Sequence, residues 1–275
     1  MTLPDLVLWC GPVYGPGNAP ASKAGGDIGR VAWQGPKPEI ITLSGNGSSY
    51  FSQLAASYAD GASGRILDNL LADHGAHVSD FSQIAVAGFS AAHGLLNPLL
   101  GADGDRIDAA ILLDSCFESP GASPKSGYAS FAALAAAGSR LFVLAGSAGQ
   151  NAPPLPPTTS GYDCALHAAG AGAASAGKAL EPTATPSGLP PPSGALSAGD
   201  LWVLDYRDGY QHGDIINKLG VPILQTFLGP YLASASRTAT PGHHGSPFPW
   251  KLVAIGTLAL GAAAGAGVLL ARKAA

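Results

Sequence analysis

Short apolar runs rich in Val, Ile, Leu and Ala recur along this chain, at 6–9, 30–33, 39–43, 83–87, 108–113, 140–145 and 201–204. Several are apolar at successive positions and do not alternate with polar residues, as expected of strands covered on both faces of a parallel sheet. Segments of helical periodicity lie between them, near 50–59, 63–73, 91–100 and 130–137, with a last one from Asp214 to about Tyr231 interrupted at Pro222. This strand–helix alternation predicts an α/β fold, a mostly parallel sheet with flanking helices. The 275 residues are 47% hydrophobic, enough for a sizeable core, and only 12% charged, about half the usual share.

The charge is distributed unevenly, and so is the composition. All 18 acids precede residue 236, whereas Arg237, Lys251, Arg272 and Lys273 follow it, for a net charge of −4. No basic stripe is present to neutralise phosphates, which argues against nucleic acid as a partner. We divide the chain into a body (1–235) carrying a Pro/Ala/Gly-rich insertion (147–200), a linker (236–250) and an apolar tail (251–273). Residues 252–271 carry no charge and are flanked by Trp250, Lys251, Arg272 and Lys273. That length and those flanks predict a single transmembrane helix acting as a C-terminal tail anchor. Gly261 and Gly265 give it a small-xxx-small face for helix–helix dimerisation. The N-terminus shows no secretory signal, so the body is expected on the cytoplasmic side of the membrane. Cys10, Cys116 and Cys164 lie far apart without a C-x-x-C pair. Free buried thiols in a reducing compartment are the expectation.

The chemistry concentrates in Ile84-Ala85-Val86-Ala87-Gly88-Phe89-Ser90-Ala91-Ala92-His93-Gly94. An apolar strand runs into a tight turn with a serine at its tip, and a helix follows at once. Such a turn lifts the hydroxyl above the sheet and aims a helix N-terminus at any oxyanion. Ser90 as an ordinary helix N-cap is the structural alternative. Two further places repeat the strand–loop logic: Leu43-Ser44-Gly45-Asn46-Gly47-Ser48 after one strand, and His212 after the last. In this order of motifs the chain resembles the α/β-hydrolase superfamily, in a compact and divergent form of serine esterase or lipase. Ala92 stands where the G-x-S-x-G pattern has its second glycine.

The resemblance implies Ser90 as nucleophile, His212 as general base, and an oxyanion hole from backbone N–H groups at Gly45, Asn46 and Ala91. In most of the family the acid follows the strand corresponding to 140–145. The turn there, Gly146-Ser147-Ala148-Gly149-Gln150-Asn151, has no carboxylate. Asp114, after the strand directly following the elbow, is the substitute, with Asp163 and Asp208 next. A Ser90–His212 dyad supported by Asn151 or a carbonyl is the remaining arrangement.

Other histidines read as structural. His93 lies one helical turn beyond Ser90 and packs beside the sheet, His74 and His77 lack ligand partners, and His243-His244 falls in the linker. No metal site follows from them, and no phosphate-binding or dinucleotide motif calls for a cofactor. The expectation is a membrane-anchored serine hydrolase acting on a small-molecule or lipid-like ester. The competing reading is a catalytically inactive hydrolase-like structural or assembly protein, and it predicts Ser90 and His212 beyond hydrogen-bond reach of each other.

Overall fold

Among the described residues, eight strands form one sheet in the order β2-β1-β3-β4-β5-β8-β7-β6. The computed structural model describes residues 3–12, 28–45, 47–118, 121–148 and 160–235. The strands are β1 (Leu6–Pro12), β2 (Glu39–Gly45), β3 (Ile84–Phe89), β4 (Ala109–Leu113), β5 (Leu141–Gly146), β6 (Glu181–Pro182), β7 (Gly194–Ala198) and β8 (Leu201–Asp205). Strands β2, β1, β3, β4, β5 and β8 are parallel neighbours. Strands β7 and β6 are added antiparallel at the far edge.

Alternation along each strand divides the core in two. Leu6, Leu8 and Cys10 of β1 join one hydrophobic cluster, whereas Val7 and Trp9 join the other. The first cluster is covered by α1 (Gly47–Tyr58), α2 (Leu67–Asp73), α3 (His93–Asp103), α4 (Ser126–Ala136) and α5 (Gly161–Ser175). The second is covered by a helical run, α6 (212–235), through Ile215, Leu219, Ile223, Leu224, Phe227, Leu228 and Leu232. Within α6 the α-helical pieces alternate with π-helical turns at Ile215–Leu219 and Leu224–Leu228. Pro222, which lacks an N–H, falls in the short α-helical piece between those widened turns, and the helical run continues past it.

Several expectations are corrected here. The sheet is mixed: β2, β1, β3, β4, β5 and β8 are parallel, but β7 and β6 join antiparallel at one edge, and no transmembrane helix accompanies the sheet among the described residues. Only Gly199 and Asp200 separate β7 from β8, and so short a connection can join antiparallel strands alone. No helix among the described residues is long and apolar enough to cross a membrane. The longest helical run, α6, carries Asp214, Lys218 and Pro222 and spends its apolar side on the sheet. The segment 251–273, with Gly261 and Gly265, lies outside the described residues, as do Asn151 and His243-His244. The tail anchor, and with it the membrane partner, the helix–helix dimer, the single-pass location and the membrane-anchored function, therefore has no support among the described residues. Residues 30–33 form no strand. Val31 is buried in the second cluster and Trp33 packs against it, so their apolar character serves α6 and not the sheet.

The cysteines also differ from expectation. Cys116 and Cys164 form a disulfide with Cα atoms 5.5 Å apart, across 48 residues of chain. Cys10 alone is free and buried, and burial raises its thiol to about 12, which keeps it protonated and inert. Sequence spacing could not show the pair, because Cys116 follows β4 while Cys164 sits on α5, and only the tertiary fold apposes them.

Candidate active site

Parallel strands deliver their following loops to one edge of the sheet, where open α/β sheets place their sites. Ser90 follows β3, Asp114 follows β4, Ser147 follows β5 and His212 opens α6 after β8. Because β3, β4, β5 and β8 are consecutive neighbours in the sheet, residues spread over more than a hundred positions meet at one place.

The turn at Ser90 is tight for identifiable reasons. A Cβ at Gly88 would come within 2.6 Å of Leu96 Cδ1, 2.8 Å of Ala92 Cβ and 3.1 Å of the Cys10 carbonyl oxygen. Only a glycine lets α3 cross this strand so closely. Ser90 has φ 55° and Asp114 has φ 47°, the two positive-φ non-glycine residues among those described. Each such conformation costs about 1–3 kcal/mol and persists only where surrounding structure holds it. Both strained residues belong to the same hydrogen-bonded chain. An ordinary N-cap role does not account for this, and the N-cap position of the short helix falls on Phe89, not on Ser90.

The side chains of that chain are continuous. The Ser90 hydroxyl lies 2.7 Å from His212 Nε2, and His212 Nδ1 lies 2.7 Å from Asp114 Oδ2. An ionised carboxylate only accepts, so Nδ1 carries the proton and Nε2 is left to accept from the Ser90 hydroxyl. The His212 and Asp114 side chains are 5% and 0% exposed, whereas Ser90 is half-buried and reachable. The imidazole is held by rings: Phe89 stacks on it at 4.7 Å between centroids, and Phe117 meets it edge-on at 5.7 Å.

Asp114 is held from two further directions. Ser147 donates its backbone N–H to Oδ1 at 3.1 Å and its hydroxyl to Oδ2 at 2.5 Å. The N-terminus of α5 abuts the same carboxylate, since a Cβ at Gly161 would lie 1.7 Å from Oδ1. The positive end of a helix favours a negative charge there. Ser147 thus occupies the turn where the resemblance places an acid, and it supports the acid that stands one strand earlier.

The other candidates separate from this cluster. Asp163 pairs with Arg207 at 3.2 Å on the surface, and Asp208 is exposed in the turn after β8. His93 points its Nδ1 at the Ser90 carbonyl oxygen, 3.2 Å away, and burial lowers its pKa. His74 Nδ1 is 3.0 Å from the Leu70 carbonyl at the end of α2. No group of three or more metal-ligating side chains is found among the described residues.

The expected oxyanion positions are not equivalent. Ala91 follows Ser90 in the first turn of the helix, where N–H groups have no partner within the helix. Gly45 ends β2, with β1 lying between it and β3, and the ring of Tyr50 covers it. Asn46 lies outside the described residues.

Two participants had no separate signal in the sequence: Ser147 and Phe117. Ser147 alone had a positional clue, standing at the strand end where a carboxylate was sought. Compared with protein-family models, curated proteins and solved structures, the chain gives no match.

Proposed function

We propose that the protein is a serine hydrolase that cleaves ester bonds through an acyl-enzyme. The single observation that carries this reading is the unbroken hydrogen-bond chain from Ser90 through His212 to Asp114. The competing inactive reading required the serine and histidine to lie apart, and their 2.7 Å separation speaks against it.

In this reading the Ser90 oxygen attacks the ester carbonyl carbon as its proton passes to His212 Nε2. Asp114, fixed by Ser147, keeps Nδ1 protonated and balances the imidazolium that forms. The carbonyl oxygen becomes an oxyanion and takes a hydrogen bond from the Ala91 N–H. Return of the proton from Nε2 to the leaving alkoxide expels the alcohol and leaves Ser90 acylated. A water then attacks the acyl carbon by the same route, with His212 as base, and the acid product departs. Gly45 and Asn46 as further oxyanion donors rest on the motif order alone.

The test is covalent labelling together with turnover. The purified chain is expected to react with a fluorophosphonate probe and to hydrolyse p-nitrophenyl acetate or butyrate. Ser90→Ala is expected to abolish both while leaving the melting temperature near that of the wild type. Equal labelling of the wild type and of Ser90→Ala would remove the assignment.

A further inference from the structure

The peptide that joins Ser90 to Ala91 is held at its carbonyl end. Ser115 donates its hydroxyl to the Ser90 carbonyl oxygen at 2.9 Å. His93 reaches the same oxygen with its backbone N–H and with Nδ1 at 3.2 Å; a carbonyl only accepts, so Nδ1 is a donor there. His93 belongs to the helix that Ser90 begins, whereas Ser115 comes from a different strand end, 25 residues away.

In a planar trans peptide the C=O and the N–H point in opposite directions. Fixing the Ser90 carbonyl therefore fixes the direction of the Ala91 N–H. Hydrogen bonds to the oxygen also polarise the peptide and make its N–H a stronger donor. Ser90 sits at φ 55°, where a non-glycine residue is not held by its own conformational preference. Ser115 is the partner that holds this carbonyl from outside the helix.

Ser115 is itself immobilised. It is 1% exposed, and its carbonyl accepts the hydroxyl of fully buried Tyr128 at 2.9 Å. The residue before it is tied by its N–H to the Ala145 carbonyl at 2.7 Å, and the residue after it is Cys116 of the disulfide. Asp114 and Ser115 are thus consecutive residues of one clamped segment.

We infer that Ser115 is a positioning residue for the oxyanion donor, orienting the Ala91 N–H through the Ser90–Ala91 peptide just as Asp114 orients His212. One two-residue segment then aligns both halves of the reaction, proton transfer and oxyanion stabilisation. The inference rests on the serine-hydrolase reading above.

The experiment uses the full chain and three proteins: wild type, Ser115→Ala and Ser115→Thr. Each is assayed with p-nitrophenyl butyrate, titrated with an alkyl trifluoromethyl ketone and with the matching methyl ketone, and melted. Ser115→Ala is expected to lower kcat on the order of tenfold to a hundredfold, with KM within about twofold. Its affinity for the trifluoromethyl ketone, whose adduct with Ser90 carries an oxyanion, is expected to fall in parallel. Affinity for the methyl ketone is expected to hold, and Ser115→Thr, which keeps the hydroxyl, is expected to recover most of kcat. An active Ser115→Ala with unchanged kcat overturns the positioning role alone. So does loss of melting temperature and of both ketone affinities together, without rescue by threonine. A wild type that neither hydrolyses the ester nor reacts with a fluorophosphonate removes the hydrolase reading, and this inference with it.

Discussion

Ser147 donates both its backbone N–H and its hydroxyl to the Asp114 carboxylate across the boundary between two neighbouring strand ends. The carboxylate that meets His212 Nδ1 is therefore anchored by the turn that ends the neighbouring strand β5.

Replacing Ser147 by alanine removes the hydroxyl donor and keeps the N–H bond. The buried carboxylate loses one of its partners, at a cost of roughly 1–3 kcal/mol. Ser147→Ala is expected to reduce kcat/KM and lower the urea midpoint, both measurable on one preparation. Unchanged turnover would show that Asp114 does not need the Ser147 hydroxyl.

Gly161 is the point of closest approach between α5 and the acid. Its Cβ position lies 1.7 Å from Asp114 Oδ1, so Gly161→Ala must displace either the helix or the carboxylate. Overpacking of this kind costs about 1–3 kcal/mol. Ester turnover is expected to drop far more steeply than the melting temperature does. Equal activity in the variant would mean that Asp114 can retreat without losing His212.

The Cys116–Cys164 bond closes 48 residues of chain. The loop-entropy relation gives at most about 4 kcal/mol for a loop of this length. Reduction, or Cys116→Ser with Cys164→Ser, is expected to lower the melting temperature accordingly. Thiol titration in denaturant is expected to find one reactive cysteine per chain before reduction and all three after it, Cys10 being the free thiol. Three before reduction would exclude the bond.

Asp103 serves stability at a distance from the chemistry. Its fully buried side chain accepts the N–H groups of Ile66 at 2.7 Å and Leu67 at 3.1 Å. It thereby caps α2, which has no side-chain cap of its own. It also pairs with Arg106 at 3.2 Å. Asp103→Ala leaves the two N–H groups without their acceptor while Arg106 keeps its pairing with Asp68, a loss of about 1–3 kcal/mol. Chemical denaturation is expected to show it, with kcat of the folded fraction unaffected.

His93 makes a contribution that depends on pH. Burial lowers its pKa below the ordinary 6.5, so the unfolded chain binds this proton more readily than the folded one. The associated stability is complete above pH 6.5 and is lost as the pH falls toward the lower folded value. Melting temperatures of the wild type and His93→Gln are expected to converge as the pH drops through this window. A constant difference across it would sink the assignment.

Much of the scaffold was legible locally. Strands β1, β3, β4, β5 and β8 are covered on both faces, so burial writes them as continuous apolar runs. The elbow was legible because strain and close packing demand Gly88 before Ser90 and small residues after it. Residues 30–33 misled because a buried apolar segment need not pair with a strand. Strand β7 was hidden inside a Pro-rich stretch, since its partner is the hairpin neighbour β8 and its own pattern is weak.

The sequence by itself determined the α/β alternation, the placement of Ser90 on a turn and the chain order of serine and histidine, because each depends on neighbours a few residues away. Tertiary structure alone decided that Asp114 and not Asp163 or Asp208 meets His212, that Ser147 and Ser115 support the two ends of the site, and that Cys116 bonds Cys164. These partnerships depend on which strands lie side by side. Strand order is set by packing summed over the whole core, so no local stretch of residues encodes it.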